Sequence, residues 1–255
     1  TRGAKAPFEP AAVAREDIAF LQYTGGTTGV SKGAMLTHRN ILANLEQTGV
    51  WISVSFKEGA EIVIAPLPMY HIFCLTSTLS FMKWGSLTVL ITNPRDLPGF
   101  VKELGHWKWS VMTGVNTLFN GLLNTPGFDR LDFSPLKVVI GGGAAVQKPV
   151  AERWQQVTGL PITEAYGLTE TSPGVCCVPL NAPWSGSIGM PIPSTEGSIR
   201  DDSFNELPAW TGQGDIEQAR EKLARRLDIR WPEGATNGSG KNFITNLQQV
   251  LKDYR

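Results

Sequence analysis

Short apolar runs alternate with amphipathic segments between residues 16 and 165. The apolar runs predict strands, and they lie at 16–21, 61–66 (EIVIAP), 87–91 (LTVLI), 110–112, 136–140 (LKVVI) and 162–165. The segments between them show helical spacing and predict helices at 37–48, 71–84, 98–105, 116–124 and 148–157. Strands that alternate with helices indicate an α/β fold with a largely parallel sheet and flanking helices.

The last part of the chain shows helical periodicity without strands. Apolar residues recur at helical spacing in 216–227 and again in 243–251, with turn residues between the two stretches. We therefore expect a C-terminal helical segment at 209–255, separate from a domain at 1–208. Its first helix is basic, which indicates a solvated helix face; an anion-binding or membrane-binding patch is the alternative.

Composition and charge exclude some classes of protein. Hydrophobic residues make up 42% and charged residues 18% of the 255 positions, and the formal net charge is zero. This balance is typical of globular domains and lacks the basic face of a nucleic-acid binder. No apolar run reaches the roughly 18 residues that a transmembrane helix needs. We expect a cytoplasmic protein without a nucleic-acid partner, with membrane association as an alternative.

The glycine-rich stretch 23–33 (YTGGTTGVSKG) is the strongest signal of chemistry. Glycines let backbone N–H groups approach an anion, hydroxyls add donors, and Lys32 supplies positive charge. The common phosphate-binding loop of NTPases has Gly before its lysine and Ser or Thr after it, whereas here Ser31 precedes and Gly33 follows. The stretch therefore predicts a phosphate cradle of another type; a flexible surface loop is the alternative.

Two further polar segments follow predicted strands: 141–143 (GGG) and 166–170 (YGLTE). Ligands of parallel α/β sheets bind at the carboxyl ends of the strands, and we expect all three loops to meet there.

These three motifs, in this order, resemble the signatures of the adenylate-forming (AMP-binding) enzyme superfamily. The further stretches 68–73 (PMYHIF), 91–96 (ITNPRD), 113–119 (TGVNTLF) and 187–193 (SIGMPIP) resemble bacterial long-chain fatty-acid–CoA ligases, which are acyl-CoA synthetases. The resemblance covers about residues 16–208 and implies the central part of that family's large N-terminal domain.

The resemblance implies ATP-dependent activation of a medium- or long-chain fatty acid. In the family reaction, the carboxylate and Mg-ATP give an acyl-adenylate and pyrophosphate, and the thiol of coenzyme A then displaces AMP. The implied ligands are therefore fatty acid, ATP, Mg²⁺ and coenzyme A.

The resemblance also implies roles for individual residues. Glu170 would bind Mg²⁺, Thr169 would contact the α-phosphate, and His71 would lie near the reacting carboxylate. Tyr166 and Gly167 would border the adenine. The glycines implied to shape the adenine and acyl pockets are Gly141, Gly142 and Gly143. The residues implied to hold the β- and γ-phosphates are Thr24, Gly25, Gly26, Thr27, Thr28, Gly29, Ser31 and Lys32.

Each catalytic role has a structural alternative. Glu170 could cap the turn that follows it, Tyr166 could be a core aromatic, and His71 could be a core histidine in an apolar stretch.

The absence of a carboxylate directly after Phe73 indicates the type of substrate. A domain that activates an amino acid needs a carboxylate for the substrate ammonium, because a buried unpaired charge is costly. Peptide-synthetase domains place an Asp directly after the aromatic that corresponds to Phe73, but Cys74 stands here. The apolar side chains of Phe81, Met82 and Trp84 suit a fatty acid, whose chain length the sequence does not give.

Two family features are missing from the pattern. The family's T-G-D motif, whose Asp holds the ribose, and its C-terminal catalytic lysine have no match; the spacing of Asp215 is wrong for that role. We therefore expect a truncated chain that is inactive alone. We also expect the surfaces that truncation exposes either to cause self-association or to be partly covered by the C-terminal helical hairpin. The alternatives are a nucleotide-binding module, a fragment without a ligand, and adenylation of another carboxylic acid.

Overall fold

The computed structural model describes residues 7, 9–24, 32–198 and 205 of the chain. The predicted helical segment at 209–255 lies outside the described residues. The elements are β1 (Ile18–Thr24), β2 (Lys32–Thr37), α1 (His38–Ile52), β3 (Ile62–Ala65), α2 (Ile72–Lys83), β4 (Leu87–Leu90), α3 (Leu97–Leu104), β5 (Val111–Gly114), α4 (Asn116–Leu123), β6 (Val138–Gly141), α5 (Lys148–Thr158), β7 (Ile162–Gly167), β8 (Gly174–Cys177) and β9 (Met190–Pro191).

A seven-stranded sheet forms the centre of the fold, in the order β4-β3-β5-β6-β7-β8-β9. Its first five strands are parallel, whereas β8 pairs antiparallel with β7 and β9 antiparallel with β8. Each parallel strand is joined to the next in sequence by one helix, from α2 to α5. The α/β class and the largely parallel sheet predicted from the sequence are confirmed.

Helices cover both faces of the sheet, which explains why its central strands are apolar throughout. Neighbouring residues of β3 point to opposite faces, so Val63 packs with α1 and α2 whereas Ile64 packs with α3, α4 and α5. The larger cluster, on the second face, includes the fully buried Trp154 and Phe119. Each such side chain contributes about 1.5–3 kcal/mol by leaving water.

The position of the glycine-rich loop differs from the prediction. It does not follow a strand of the parallel sheet, because β1 pairs antiparallel with β2 in a separate two-stranded sheet. Residues 25–31 therefore connect the two strands of a hairpin. Strand β2 was not predicted, because Gly33 and the short polar start of the strand are typical of a loop.

Strand β7 is longer than predicted. It continues beyond Ala165 to Gly167, so Tyr166 belongs to a strand and not to a loop. The extra residues are stabilised by antiparallel pairing with β8, in which Tyr166 lies opposite Cys176.

Candidate functional site

The hairpin of β1 and β2 holds both ends of the glycine-rich loop. Thr24 lies opposite Lys32, and the Thr24 hydroxyl donates a hydrogen bond to the Lys32 carbonyl at 3.4 Å. The next pair is Tyr23 and Gly33, where a Cβ on the glycine would lie 3.6 Å from the tyrosine ring. The Lys32 side chain is exposed beside the loop. The other predicted phosphate-holding residues (Gly25, Gly26, Thr27, Thr28, Gly29 and Ser31) lie outside the described residues.

The three glycines after β6 occupy three different environments. A Cβ on Gly141 would lie 2.8 Å from the side chains of both Ile162 and Val146, so this glycine permits close core packing. A Cβ on Gly142 would lie 3.2 Å from the Phe73 ring. Gly143 is exposed and has a φ of +75°, a conformation that favours glycine.

A tight turn carries the predicted magnesium ligand. Thr169–Thr171 form a single 3-10 turn directly after β7. The Leu168 N–H donates to the Thr171 hydroxyl at 2.9 Å and to the Pro173 carbonyl at 3.1 Å, which closes the turn. The half-buried Glu170 carboxylate has no hydrogen bond or ion pair within the described part of the chain. Among the described residues it does not cap the turn.

Tyr166 is half-buried at the end of β7. Its ring packs against Val175 and Cys176 with Ile188 beside it. Burial raises the pKa of its phenol, and the neighbouring Cys176 adds to the rise, so the phenol stays protonated at neutral pH. One side of the ring is therefore supported by the protein while part of it remains accessible, as a stacking platform requires.

His71 is exposed, which excludes the alternative of a core histidine. It stands directly before α2, and its Nδ1 accepts a hydrogen bond from the Phe73 N–H at 3.2 Å. This bond caps the helix and orients the ring. In the neutral imidazole the proton then resides on Nε2, which is the nitrogen left to donate to a ligand.

The described parts of these segments border one region. Strand β2 is in contact with the Thr169–Thr171 turn. The Gln22 side-chain amide of β1 donates to the Tyr70 carbonyl, next to His71. At the start of α2, Phe73 covers Gly142. The described strands of the hairpin, the start of α2, the glycine turn and the 3-10 turn are thus neighbours, whereas residues 25–31 of the glycine-rich loop lie outside the described residues.

The interpretation that apolar side chains at the end of α2 suit a bound fatty acid is wrong. Phe81 is 1% exposed and belongs to a core cluster with Ile52 and Val63, and Trp84 packs against it edge-to-face. Met82 instead faces solvent. A helix rises about 1.5 Å per residue, so these side chains lie more than about 12 Å along α2 from His71.

Sequence patterns did not reveal several polar side chains that fix the loops. The Glu164 carboxylate accepts from the Val146 N–H at 3.0 Å and ties the segment after the glycine turn to β7. Asn44 of α1 bonds to the backbone of Gly174, and Gln47 bonds to the Pro193 carbonyl at 2.8 Å. The sequence signal that could have identified such residues is a polar side chain at a position flanked by apolar ones, such as Asn44 between Ile41 and Leu45.

Within the described ranges, no group of three or more His, Cys, Asp and Glu side chains is placed to hold a metal ion. Mg²⁺ is commonly held by one or two carboxylates together with substrate phosphates, so the single carboxylate of Glu170 fits Mg²⁺ bound with ATP. None of the described helices has the length and hydrophobicity to cross a membrane.

Comparison with known proteins gives one family. The model of the AMP-binding enzyme family matches residues 2–225. Over 195 residues (76% of this chain), the chain is 56% identical to the long-chain-fatty-acid–CoA ligase of Escherichia coli O6:H1; over 204 residues (79%), it is 55% identical to that of Salmonella typhimurium. The chain spans only 35% and 36% of the lengths of these relatives.

The fold likewise matches solved structures. The crystal structure of ATP-bound MatB from Rhodopseudomonas palustris superposes with a TM-score of 0.69 at 26% identity. The match covers 82% of this chain and 41% of MatB.

Proposed function

The chain belongs to the AMP-binding enzyme family, and we propose that it forms the nucleotide- and acyl-binding centre of a fatty-acid–CoA ligase. The proposed reaction converts a medium- or long-chain fatty acid and Mg-ATP to an acyl-adenylate, and then to acyl-CoA. One observation carries the proposal: the β1–β2 hairpin, the start of α2, the glycine turn and the turn with Glu170 are neighbours.

The phosphate side of the site is formed by the hairpin and the 3-10 turn. Residues Thr24 to Ser31 and Lys32 hold the β- and γ-phosphates through backbone N–H groups, hydroxyls and the lysine charge. Thr169 contacts the α-phosphate, and the Glu170 carboxylate, which has no partner among the described residues, would hold Mg²⁺. The metal, when bound, neutralises charge that develops on the phosphates.

The other side of the site is formed by β6, β7 and the start of α2. Tyr166 stacks on the adenine, with Gly142, Gly143 and Gly167 leaving room for the nucleotide and the acyl group. The His71 Nε2–H donates to a carboxylate oxygen of the fatty acid. A second oxygen of that carboxylate attacks the α-phosphorus, and pyrophosphate leaves. The protein contributes position and charge neutralisation rather than covalent chemistry.

An apolar acid is favoured over an amino acid as the substrate. Cys74 follows Phe73 at the start of α2 and is buried, so this position offers no carboxylate to a substrate ammonium. The curated relatives that are 55–56% identical are named as long-chain-fatty-acid–CoA ligases. We propose a medium- or long-chain fatty acid.

Nucleotide binding without turnover is the second candidate. The chain spans about a third of its relatives' length, and its sequence lacks the ribose aspartate and the catalytic lysine that the resemblance implies. We propose that 1–208 acts as a partial adenylation domain and that 209–255 is a helical tail outside the family pattern. We also propose a cytoplasmic location, with peripheral membrane contact and self-association through exposed faces.

Calorimetry with Mg-ATP and pyrophosphate exchange with palmitate test these proposals. We expect the chain to bind Mg-ATP without exchange, and Glu170→Gln to weaken binding about tenfold, or about 1.4 kcal/mol. Glu152→Gln on α5 is the matched control, since its exposed carboxylate faces Lys148 at 3.8 Å and lies outside the proposed site. Exchange at ordinary enzyme rates would contradict the inactivity, and absence of Mg-ATP binding would contradict the nucleotide site.

A further inference from the structure

Asn44 makes a paired contact that joins two distant parts of the chain. Its Oδ1 accepts from the Gly174 N–H at 2.9 Å, and its Nδ2 donates to the Gly174 carbonyl at 2.8 Å. The same Nδ2 group donates to Gln47 Oε1 at 3.3 Å. The side chain is only 3% exposed, so these are the partners that offset its removal from water. The amide pairs with Gly174 as a neighbouring strand would.

One end of this connection leads to the glycine-rich loop. Helix α1 begins directly after β2, where Thr37 and Asn40 form a capping box: the Thr37 hydroxyl accepts from the Asn40 N–H, and the Asn40 side chain accepts from the Thr37 N–H. This box fixes the direction in which the helix leaves the strand. Asn44 is therefore held in a defined position relative to the hairpin that carries Lys32.

The other end leads to the turn with Glu170. Gly174 directly follows Pro173, whose carbonyl accepts from the Leu168 N–H and from the Thr171 hydroxyl. The Thr169–Thr171 turn is thus connected to Gly174 through hydrogen bonds to the carbonyl of Pro173, the residue before Gly174. The fit between helix and strand is close, since a Cβ on Gly174 would lie 3.1 Å from the Thr48 methyl group.

We propose that Asn44 is a positioning residue that sets the separation between the phosphate-loop hairpin and the Glu170 carboxylate. The inference rests on the proposed function, because it assumes that both parts hold Mg-ATP. Asn44 does not touch the nucleotide in this proposal. It acts through Gly174 and Pro173, and its loss lets the 3-10 turn move relative to β2.

Thr158 provides a matched control for a purely structural effect. Its buried hydroxyl also bonds to backbone groups: it accepts from the Leu160 N–H at 3.2 Å, and its one proton faces the Trp154 carbonyl at 2.9 Å and the Leu160 carbonyl at 3.2 Å. Leu160 lies before β7, at the opposite end of that strand from Glu170. Thr158→Ala therefore removes the same kind of contact away from the proposed site.

The test compares Asn44→Ala with Thr158→Ala in this chain. Both variants should lower the free energy of unfolding. Only Asn44→Ala should speed amide exchange in 168–174, and only Asn44→Ala should weaken Mg-ATP binding, by about tenfold. In a Glu170→Gln background, Asn44→Ala should weaken Mg-ATP binding less than in the unmodified chain, because the Glu170 carboxylate is already lost and only the Thr169 contact of the same turn remains to be displaced.

Either of two affinity results would overturn the positioning role: an equal loss of Mg-ATP affinity in Thr158→Ala, or an undiminished effect of Asn44→Ala in the Glu170→Gln background. Unchanged exchange in 168–174 would also overturn it. If the unmodified chain binds no Mg-ATP, the proposed function fails instead. The exchange rates of 168–174 then still decide whether Asn44 holds the turn.

Discussion

The Lys137 ammonium lies 2.6 Å from the Glu61 carboxylate, whose side chain is only 1% exposed. Glu61 also accepts from the Lys57 N–H at 2.8 Å. The two residues directly precede β3 and β6, so the pair joins the amino ends of two parallel strands. The candidate site lies at the opposite, carboxyl ends of the strands, so changes to this ion pair act at a distance from it.

Glu61→Gln should lower the free energy of unfolding by about 2–3 kcal/mol, because it removes charged hydrogen bonds to a buried group. Glu46→Gln is the control, since its ion pair with Lys83 is exposed on both sides and should be worth less than about 1 kcal/mol. Urea unfolding at neutral pH measures both. Equal losses in the two variants would show that the Glu61 pair contributes no more than a surface pair.

The stability of the chain should also depend on Glu61 at acid pH. Burial raises the pKa of this carboxyl, but hydrogen bonds from Lys137, Ser110 and the Lys57 N–H, with the lysine charge, lower it below the ordinary value of 4.5. A carboxyl whose pKa is lowered by folding stabilises the fold above its unfolded pKa. The unfolding free energy should therefore fall as the pH drops below 4.5, with a smaller fall in Glu61→Gln.

Gly167→Ala should prevent native packing of the turn that carries Glu170. A Cβ at this position would lie 2.1 Å from the Pro173 carbonyl oxygen, a backbone atom that cannot rotate away. We expect a loss of at least about 3 kcal/mol in urea unfolding, as for a severe overpacking change.

Gly159→Ala separates steric overlap from backbone strain. Gly159 has a φ of +77°, but no atom lies within 4 Å of a Cβ there, so its cost should be about 1–2 kcal/mol from conformation alone. A Gly167→Ala loss no larger than this would show that β7 and β8 move apart easily.

Gly142→Ala should displace the Phe73 ring. The new methyl group would lie 3.2 Å from the ring and 3.2 Å from the Ala165 carbonyl oxygen, and a shift of the ring relieves the first contact. We expect a loss of about 1–2 kcal/mol in thermal unfolding. The smaller side chain of Phe73→Leu should restore part of this stability in the double variant; a double variant that loses the sum of both effects would contradict the contact.

The three cysteines should resist alkylation in the folded protein. Burial raises the pKa of Cys176 to about 12, and burial together with Cys176 raises that of Cys177 to about 12. Burial also raises the pKa of Cys74. At pH 8 the thiolate fraction of Cys176 and Cys177 should be about one ten-thousandth, and only the thiolate reacts. Iodoacetamide labelling with and without urea, read by mass spectrometry, checks this; rapid labelling of the native chain would contradict it.

The sequence predicted the helices and the parallel strands closely. Helix α5 was expected at 148–157 and runs from Lys148 to Thr158, and α2 was expected at 71–84 and runs from Ile72 to Lys83. These helices could be predicted because the spacing of their apolar residues follows from which side of each helix packs against the sheet. The glycine-rich motif and the segment 166–170 could be predicted as candidate binding segments, because their residue types are suited to binding anions and cations rather than to packing in a core.

Tertiary structure alone decided how these segments are held together. The antiparallel partner β2, the extension of β7 along β8, and the bonds from Asn44 to Gly174 join residues that local patterns treat separately. The burial of Phe81, away from the site, is likewise set by packing against Val63 and Ile52. Local sequence determines periodicity and residue chemistry, whereas hydrogen bonds and contacts across as many as 146 residues depend on the complete fold.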